Sequence, residues 1–350
     1  MSAGMFDLHF RMEELSRGGD PLLKLSAALD WKVFGPLLGK LRPGERKAGA
    51  GRPPFDALLM FKLLVLQSLY NLSDEGVEYQ VRDRLSFMRF VGLGVCERVP
   101  DAKTIWLFRE QLGAAGLVEK LFARFDVELE RQGFAARKGQ IIDASIVAAP
   151  RQRNTRAENE HIKQTGTAPA HWAKNPNQLR QKDVDARWTQ KNDVNYYGYK
   201  NHISIDREHK LIRCWAVSDA ALHDSQMFEQ VLDECNTSGD VWADSAYRSA
   251  EALKLLKQCG YREHLQRKGV RGRPLTEWEK QGNRTRARVR ARVEHVFGAQ
   301  TMRAAGNLLV RTIGLARARC KIGLRNLSYN LARYVKLPKP PPTGLIPARP

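Results

Sequence analysis

The spacing of apolar positions changes character near Gly139. Before it the rhythm is helical. Between Phe55 and Tyr70, residues Leu58, Leu59, Phe61, Leu63, Leu64, Leu66 and Leu69 surround most of a helical cylinder, which predicts a buried helix. A shorter helix is predicted over Pro21–Leu29, and a Gly/Pro/Arg-rich stretch at Arg42–Pro54 separates the two. Ser73 reads as an N-cap with Asp74 and Glu75 in the first turn; its helix runs to about Arg84 and another follows near Ser86–Val91. Asp101 caps a last helix, in which Ile105, Leu107, Phe108 and Leu112 alternate with Lys103, Arg109 and Glu110. Short helices over about 55–135 fit a helix-turn-helix module that touches DNA. They fit a scaffolding or dimerisation bundle equally well, and the pattern alone leaves both open.

After Gly139 the period becomes that of strands. Gln140–Val147 reads as a strand, as do Tyr196–Asp206 and Lys210–Asp219 around a turn at Arg207–His209. Residues 150–195 are polar with little periodic signal and read as a long loop or insertion. Then come a helix over Asp224–Cys235, a short strand over Asp240–Asp244, a helix over Ala250–Cys259 stopped by Gly260, and a strand over Tyr261–Gln266. A helix over Arg284–Gln300 and further helix to Tyr334 close the pattern, and the proline-rich stretch Pro338–Pro350 reads as a disordered tail. The fold class is α/β, with hairpin strands first and crossover strands after, preceded by an all-α N-terminal domain. The expected boundaries are 1–135 for the helical domain, 136–335 for the α/β domain and 336–350 for the tail.

Charge narrows the choice of partner. Among 350 residues, 58 Lys and Arg oppose 38 Asp and Glu, a formal net charge of +20. A compact chain tolerates such self-repulsion more easily when it has a polyanionic partner, so nucleic acid is the leading candidate. The five cysteines are widely spaced and form no C-x-x-C pair, which argues against a disulfide framework or a zinc finger and for a reducing compartment. The N-terminus shows no basic stretch leading into an apolar run, and the longest apolar run, around Ala57–Leu66, is interrupted by Lys62. Neither a signal peptide nor a membrane span is therefore expected, and a cytoplasmic location is.

Three acids stand out as candidate chemistry. Glu294 is the only Asp or Glu after Glu279, and the stretch Arg284–Arg325 holds eleven Lys or Arg around it. On a helix, Arg286, Arg290 and Glu294 share one stripe. Asp143 sits inside the apolar strand between Ile142 and Ala144, where a carboxylate is costly unless paired or bound to metal. Asp244 follows Val241-Trp242-Ala243 at the end of a strand, where α/β sheets gather their ligands. Singly, each has a plainer reading: a surface ion pair for Glu294, a strand-end residue facing water for Asp143, an N-cap for Asp244. Together, on a first strand, a later strand and a following helix, they form an all-oxygen set suited to magnesium or manganese. Two such ions about 4 Å apart activate an attacking oxygen and stabilise a leaving one in phosphodiester chemistry.

These residues resemble the DDE transposases of bacterial insertion sequences, in particular the IS-five group. The resemblance rests on Ile141-Ile142-Asp143-Ala144-Ser145, on Tyr197 through Asp206 (YGYKNHISID), on Ser218-Asp219-Ala220 with His223-Asp224, on Trp242 through Tyr247 (WADSAY), and on Arg290, Glu294, Phe297 and Gly298. It extends into the N-terminal helices and so over nearly the whole chain. It implies a ribonuclease-H-like mixed sheet flanked by helices, with Asp143, Asp244 and Glu294 as catalytic metal ligands for Mg2+ or Mn2+, two ions in all. It implies double-stranded DNA as partner, both terminal inverted repeats and target DNA, and a homodimer or larger assembly, because two ends need two active sites. In a bacterium the location would be cytoplasmic and associated with the nucleoid. Lys200, His202, Arg248, Arg286 and Arg290 are the candidate DNA contacts. Related groups follow a Tyr-x-x-Arg-x-x-x-Glu-x(6)-Lys pattern; here Ala287 stands at the Tyr place and Thr301 at the Lys place, with Arg303 the nearest basic residue. Trp172 and Trp188, in the insertion, either stack on unpaired bases or anchor the loop. Two rival readings share the charge: a ribonuclease-H-like nuclease that cuts without joining, and a non-catalytic DNA-binding regulator.

Overall fold

The computed structural model describes residues 6–41, 53–303 and 309–338. Most of the Gly/Pro/Arg-rich stretch and the tail beyond Pro338 lie outside the described residues. Packing divides the chain into two units: Met1–Val127 joined by Leu327–Pro338, and Glu128–Asn326.

The first unit is helical: α1 (Asp7–Arg17), α2 (Pro21–Ala28), α3 (Gly35–Leu38), α4 (Ala57–Tyr70), α5 (Asp74–Asp83), α6 (Leu85–Val91), α7 (Ala102–Ala114) and α8 (Leu117–Arg131), whose last turn passes into the second unit. As its apolar surround predicts, α4 is buried from Met60 to Leu69 save for Lys62 and Ser68. Asp56 caps its start through Leu59 N, and Asn71 ends it in the left-handed region at φ 51°. Phe61 meets Phe34 with ring centroids 5.0 Å apart. The Ser73 and Asp101 caps form as expected, accepting from Gly76 N and Thr104 N. Leu327–Pro338 falls in this unit instead of closing the α/β domain, because its Tyr334 ring packs on Phe125 at 6.0 Å.

The second unit is built on a six-stranded mixed sheet: β1 (Gln140–Ala148), β2 (Arg187–Lys191), β3 (Val194–Asp206), β4 (Ile212–Asp219), β5 (Asp240–Ala243) and β6 (Arg262–Leu265). β3 pairs antiparallel with β1, β2 and β4, whereas β5 runs parallel to β1 and β6 parallel to β5. This is the hairpin-then-crossover layout expected from the sequence. The helices are α9 (Arg156–Thr165), α10 (Pro176–Arg180), α11 (Ala250–Gln258), α12 (Glu277–Arg303) and α13 (Leu315–Tyr334). One sheet face carries Ile142, Met227, Phe228, Val231, Tyr247 and Leu256. The other carries Val147, Tyr199 and Val217 against Ala318 and Ile322 of α13. On that second face the amides of Asn201 and Asn326 exchange hydrogen bonds of 2.9 and 3.0 Å, and Gln300 donates to Asn326 at 3.0 Å. All three side chains are buried, so the satisfied network pins α12 and α13 to β3 in one arrangement.

Gly198, inside the Tyr-Gly-Tyr motif, has φ +152°, and a Cβ there would stand 2.3 Å from Val147 O. Only glycine lets β3 pass that close to β1 at this point.

Three expectations need correction. Asp224–Cys235 is not one helix but two 3-10 turns, Asp224–Met227 and Glu229–Val231. After the second turn the chain is extended at Leu232, and the Gln140 side-chain amide accepts from Asp233 N at 2.8 Å and donates to Asp233 O at 3.0 Å, taking the place of helix bonds there. The insertion is not structureless; it folds as α9, a 3-10 turn at Ala170–Lys174, α10 and β2. The helix of Glu294 begins at Glu277, seven residues earlier than its apolar pattern suggested, because Thr276 and Glu279 form a capping box.

Candidate active site

Asp143 lies on β1, and the alternation of a strand puts it on the face that α12 covers. The parallel register pairs Ile141 with Trp242, so two residues further on Asp143 is level with Asp244, just past the end of β5. Val293, Val296 and Gln300 form the buried stripe of α12 and turn Arg290 toward the strand ends. Glu294, one turn after Arg290, is 63% exposed.

The two aspartates are fixed alike. Asp143 Oδ1 accepts from Ala144 N at 2.9 Å, and Asp244 Oδ1 accepts from Ala246 N at 2.9 Å as the cap of the turn Ser245–Tyr247. The second oxygen of each faces one guanidinium. Arg290 Nη1 lies 3.1 Å from Asp143 Oδ2 and 3.8 Å from Asp244 Oδ2, and its Nη2 lies 3.7 Å from Glu294 Oε1. The fold thus sets the three predicted acids around one guanidinium. Burial pushes the Asp143 carboxyl up to about 6 despite Arg290, and the negative charge of Asp244 adds to the rise.

Two hydroxyls lie nearby, one in each of the motif stretches Ile141–Ser145 and Trp242–Tyr247. Ser145 Oγ, on the Asp143 face of β1, and the fully buried Tyr247 Oη have no hydrogen-bond partner. Desolvation raises the Tyr247 phenol well above its ordinary range, with the charges of Asp224, Asp143 and Asp244 adding to it, so it stays a neutral donor among carboxylates. Orphaned polar atoms beside clustered carboxylates indicate a polar occupant. The donors are all hard oxygens, the set that fits a magnesium-like cation. Among the described residues, however, no three His, Cys, Asp or Glu side chains already converge as a metal cage; the Arg290 guanidinium stands between them.

The remaining candidates separate. Lys200 pairs with Ile146 across the sheet and His202 with Ala144, so both face away from Asp143. Lys200 is spent on Asp224 Oδ1 at 2.8 Å and Leu222 O at 2.7 Å. His202 is fully buried and shares a hydrogen with Ser218 Oγ at 2.8 Å. Arg248 donates to Glu263 at 3.0 Å, and Arg286 folds back over Gly282 on its own helix. Trp172 anchors the insertion: it is buried, donates to Glu158 at 2.7 Å and lies beneath Lys182. Trp188 is 41% exposed, with Arg151 over its ring at 5.7 Å. Thr301 bonds back to Phe297 O at 2.9 Å and does nothing a lysine would.

Burial depresses the His202 imidazole to about 4, against the opposing pull of Asp224 and Asp219 and with the help of Lys200. The unfolded chain takes this proton near pH 6.5 and the folded chain only near pH 4. Stability is therefore lost as pH falls from 6.5 toward 4, by about 2 kcal/mol at pH 5. Urea midpoints at pH 7 and pH 5 should show a larger drop for the wild type than for His202→Gln; equal drops would refute the assignment.

A family model described as Transposase DDE domain matches residues 135–331, more than half of the chain. The chain belongs to that family. The transposase carries a second match, Transposase domain (DUF772), over residues 10–111 of its helical unit. In architecture it is also similar to a solved chain, "Cryo-EM structure of piggyBac transposase synaptic complex with hairpin DNA (SNHP)", at 12% identity and a TM-score of 0.40, covering 90% of this chain and 74% of that one. As a DDE transposase it acts on DNA as endonuclease and strand transferase, chemistry for which its family uses divalent metal ions. No helix among the described residues is long and apolar enough to cross a membrane.

Proposed function

We propose that this transposase mobilises an insertion sequence of the IS-five group, with Asp143, Asp244 and Glu294 as its metal-binding catalytic residues. The approach of these three acids to a single guanidinium carries the reading. Asp143 Oδ2, Asp244 Oδ2 and Glu294 would hold Mg2+ or Mn2+, two ions in all. Bound there, such ions activate the attacking oxygen and stabilise the leaving one. The protein's own part is positional: the backbone bonds at Ala144 and Ala246 orient the two aspartates before substrate arrives, and α12 carries Glu294 one turn after Arg290. Arg290 is the DNA-phosphate contact nearest the acids, with Arg248 and Arg286 further contacts once DNA draws them from their present partners. The helical unit binds the terminal inverted repeats, and two chains pair two ends in a homodimer or larger assembly. The working location is cytoplasmic, at the nucleoid.

The test is a joining assay. Purified protein, Mg2+, a labelled duplex carrying the element's terminal repeat and a plasmid target should yield ends with 3′-hydroxyls covalently joined to the plasmid. Cut ends that are never joined would support the nuclease reading instead. Products that form unchanged in chelator would reject the metal assignment.

A further inference from the structure

One cation stands where the three acids would meet a metal. The hold on it is loose. Of the three approaches, only Arg290 Nη1 to Asp143 Oδ2, at 3.1 Å, is a hydrogen bond; those to Asp244 and Glu294 are 3.8 and 3.7 Å. Arg290 Nε is buried without a partner. By contrast, Arg109 in the helical unit grips Asp74 through two nitrogens at 2.5 and 2.8 Å. Arg290 is therefore kept in place by the summed charge of the carboxylates and a single hydrogen bond, with its Nε unmatched. It neutralises a site that is costly to leave uncompensated, yet it gives little up on leaving.

We propose that Arg290 is a resident counter-ion that excludes divalent metal from the transposase until DNA withdraws it. The proposal rests on the triad reading above. The oxygens Arg290 faces are the two aspartate oxygens that backbone bonds leave unused, the same ones a metal would take. A guanidinium and a dication cannot both occupy the space between them. Phosphate supplies what Arg290 lacks: acceptors in number, matched to a planar fork. Arg286, one turn earlier on α12, shares the stripe of Arg290 and adds a second cation on the side that would meet phosphate. Moving the guanidinium from carboxylates to phosphate opens the metal position at the moment substrate is present. Metal and DNA binding are then positively coupled, each raising the affinity for the other by the same factor. It follows that the transposase without DNA binds metal more weakly than with it.

The test reads metal binding, not activity. Free Mn2+ is titrated by electron paramagnetic resonance against the full-length protein without DNA. Arg290→Gln should bind Mn2+ roughly ten- to a hundredfold more tightly than wild type, with Arg290→Lys between them. Duplex DNA should tighten Mn2+ binding to the wild type by a factor clearly larger than it does for Arg290→Gln. Equal or weaker Mn2+ binding by Arg290→Gln, with its thermal melt showing a folded protein, would overturn the proposal. So would an equal effect of DNA on both proteins. Adding Asp143→Asn to Arg290→Gln should remove the tight site. If tight binding survives that change, the triad reading fails and not merely the counter-ion.

Discussion

Asp143→Asn, Asp244→Asn and Glu294→Gln are each expected to lower end cleavage and joining about a thousandfold or more while leaving DNA binding within a few-fold of wild type. Each removes a charged oxygen from the point where the phosphodiester's developing charge must be stabilised, the largest single term in such chemistry. DNA binding is spared because it draws on the chain's excess of cations, which these changes raise. The three should differ in stability, and the difference separates a catalytic loss from a folding defect. Burial raises the Asp143 carboxyl to about 6, so at pH 7.5 without metal the folded protein bears a charge it would rather lose. Above pH 6 this penalty is complete; below about 4 it vanishes. Asp143→Asn should accordingly melt higher than wild type at pH 7.5 without metal, and the gain should shrink toward pH 4. Asp244→Asn keeps the acceptor that caps Ser245–Tyr247 and should melt close to wild type. Glu294, largely exposed, should be nearly silent in the melt. Single-turnover cleavage, gel shifts and melting curves on the three proteins decide the matter. Strand transfer near the wild-type rate by any one of them removes that residue from the active site.

How much of this was legible before the structure depends on which signals are local. Strand period placed β1, β3, β4, β5 and β6, and with them the two aspartates, because alternation and apolar runs are written in consecutive residues. Glu294 was conspicuous as a lone acid in a basic run. The insertion was misread because its elements are short and polar, yet two local signals were present. Thr155 and Glu158 form a capping box at the start of α9, and Asn192 and Asp193, with φ of 50° and 60°, make the two-residue turn that joins β2 to β3. The end of the Asp224–Cys235 segment could not be read locally, since Asp233 is held by Gln140, distant in sequence. The setting of Lys200 and His202 was hidden for a similar reason: register turns both to the face of the sheet away from Asp143. The counter-ion role of Arg290 needed coordinates, because spacing placed it beside Glu294 and said nothing of either aspartate.

Arg109 was also misjudged, as one of the polar residues alternating along α7. It is 4% exposed and joins three helices: Nη1 and Nη2 donate to Asp74 of α5 at 2.5 and 2.8 Å, and Nη1 donates to Gln67 of α4 at 2.9 Å. Gln67 Nε2 in turn donates to Asp74 at 2.6 Å. Arg109→Met keeps the length and apolar stem of the side chain but takes its cation away from Asp74. Its expected cost to the helical unit is about 3–5 kcal/mol, since breaking one side of a buried pair costs far more than the pair is worth intact. Replacing the whole network, as Arg109→Met with Asp74→Leu and Gln67→Leu, should recover most of that loss, because no stranded polar group then remains. Amide exchange along α4, where Leu63 to Leu66 are fully buried, reports the stability of this unit without reference to the other. A single variant that loses less than about 1 kcal/mol would mean that water reaches Asp74 in solution. A triple variant no better than the single one would mean that the network holds the three helices in register and that apolar packing cannot replace it.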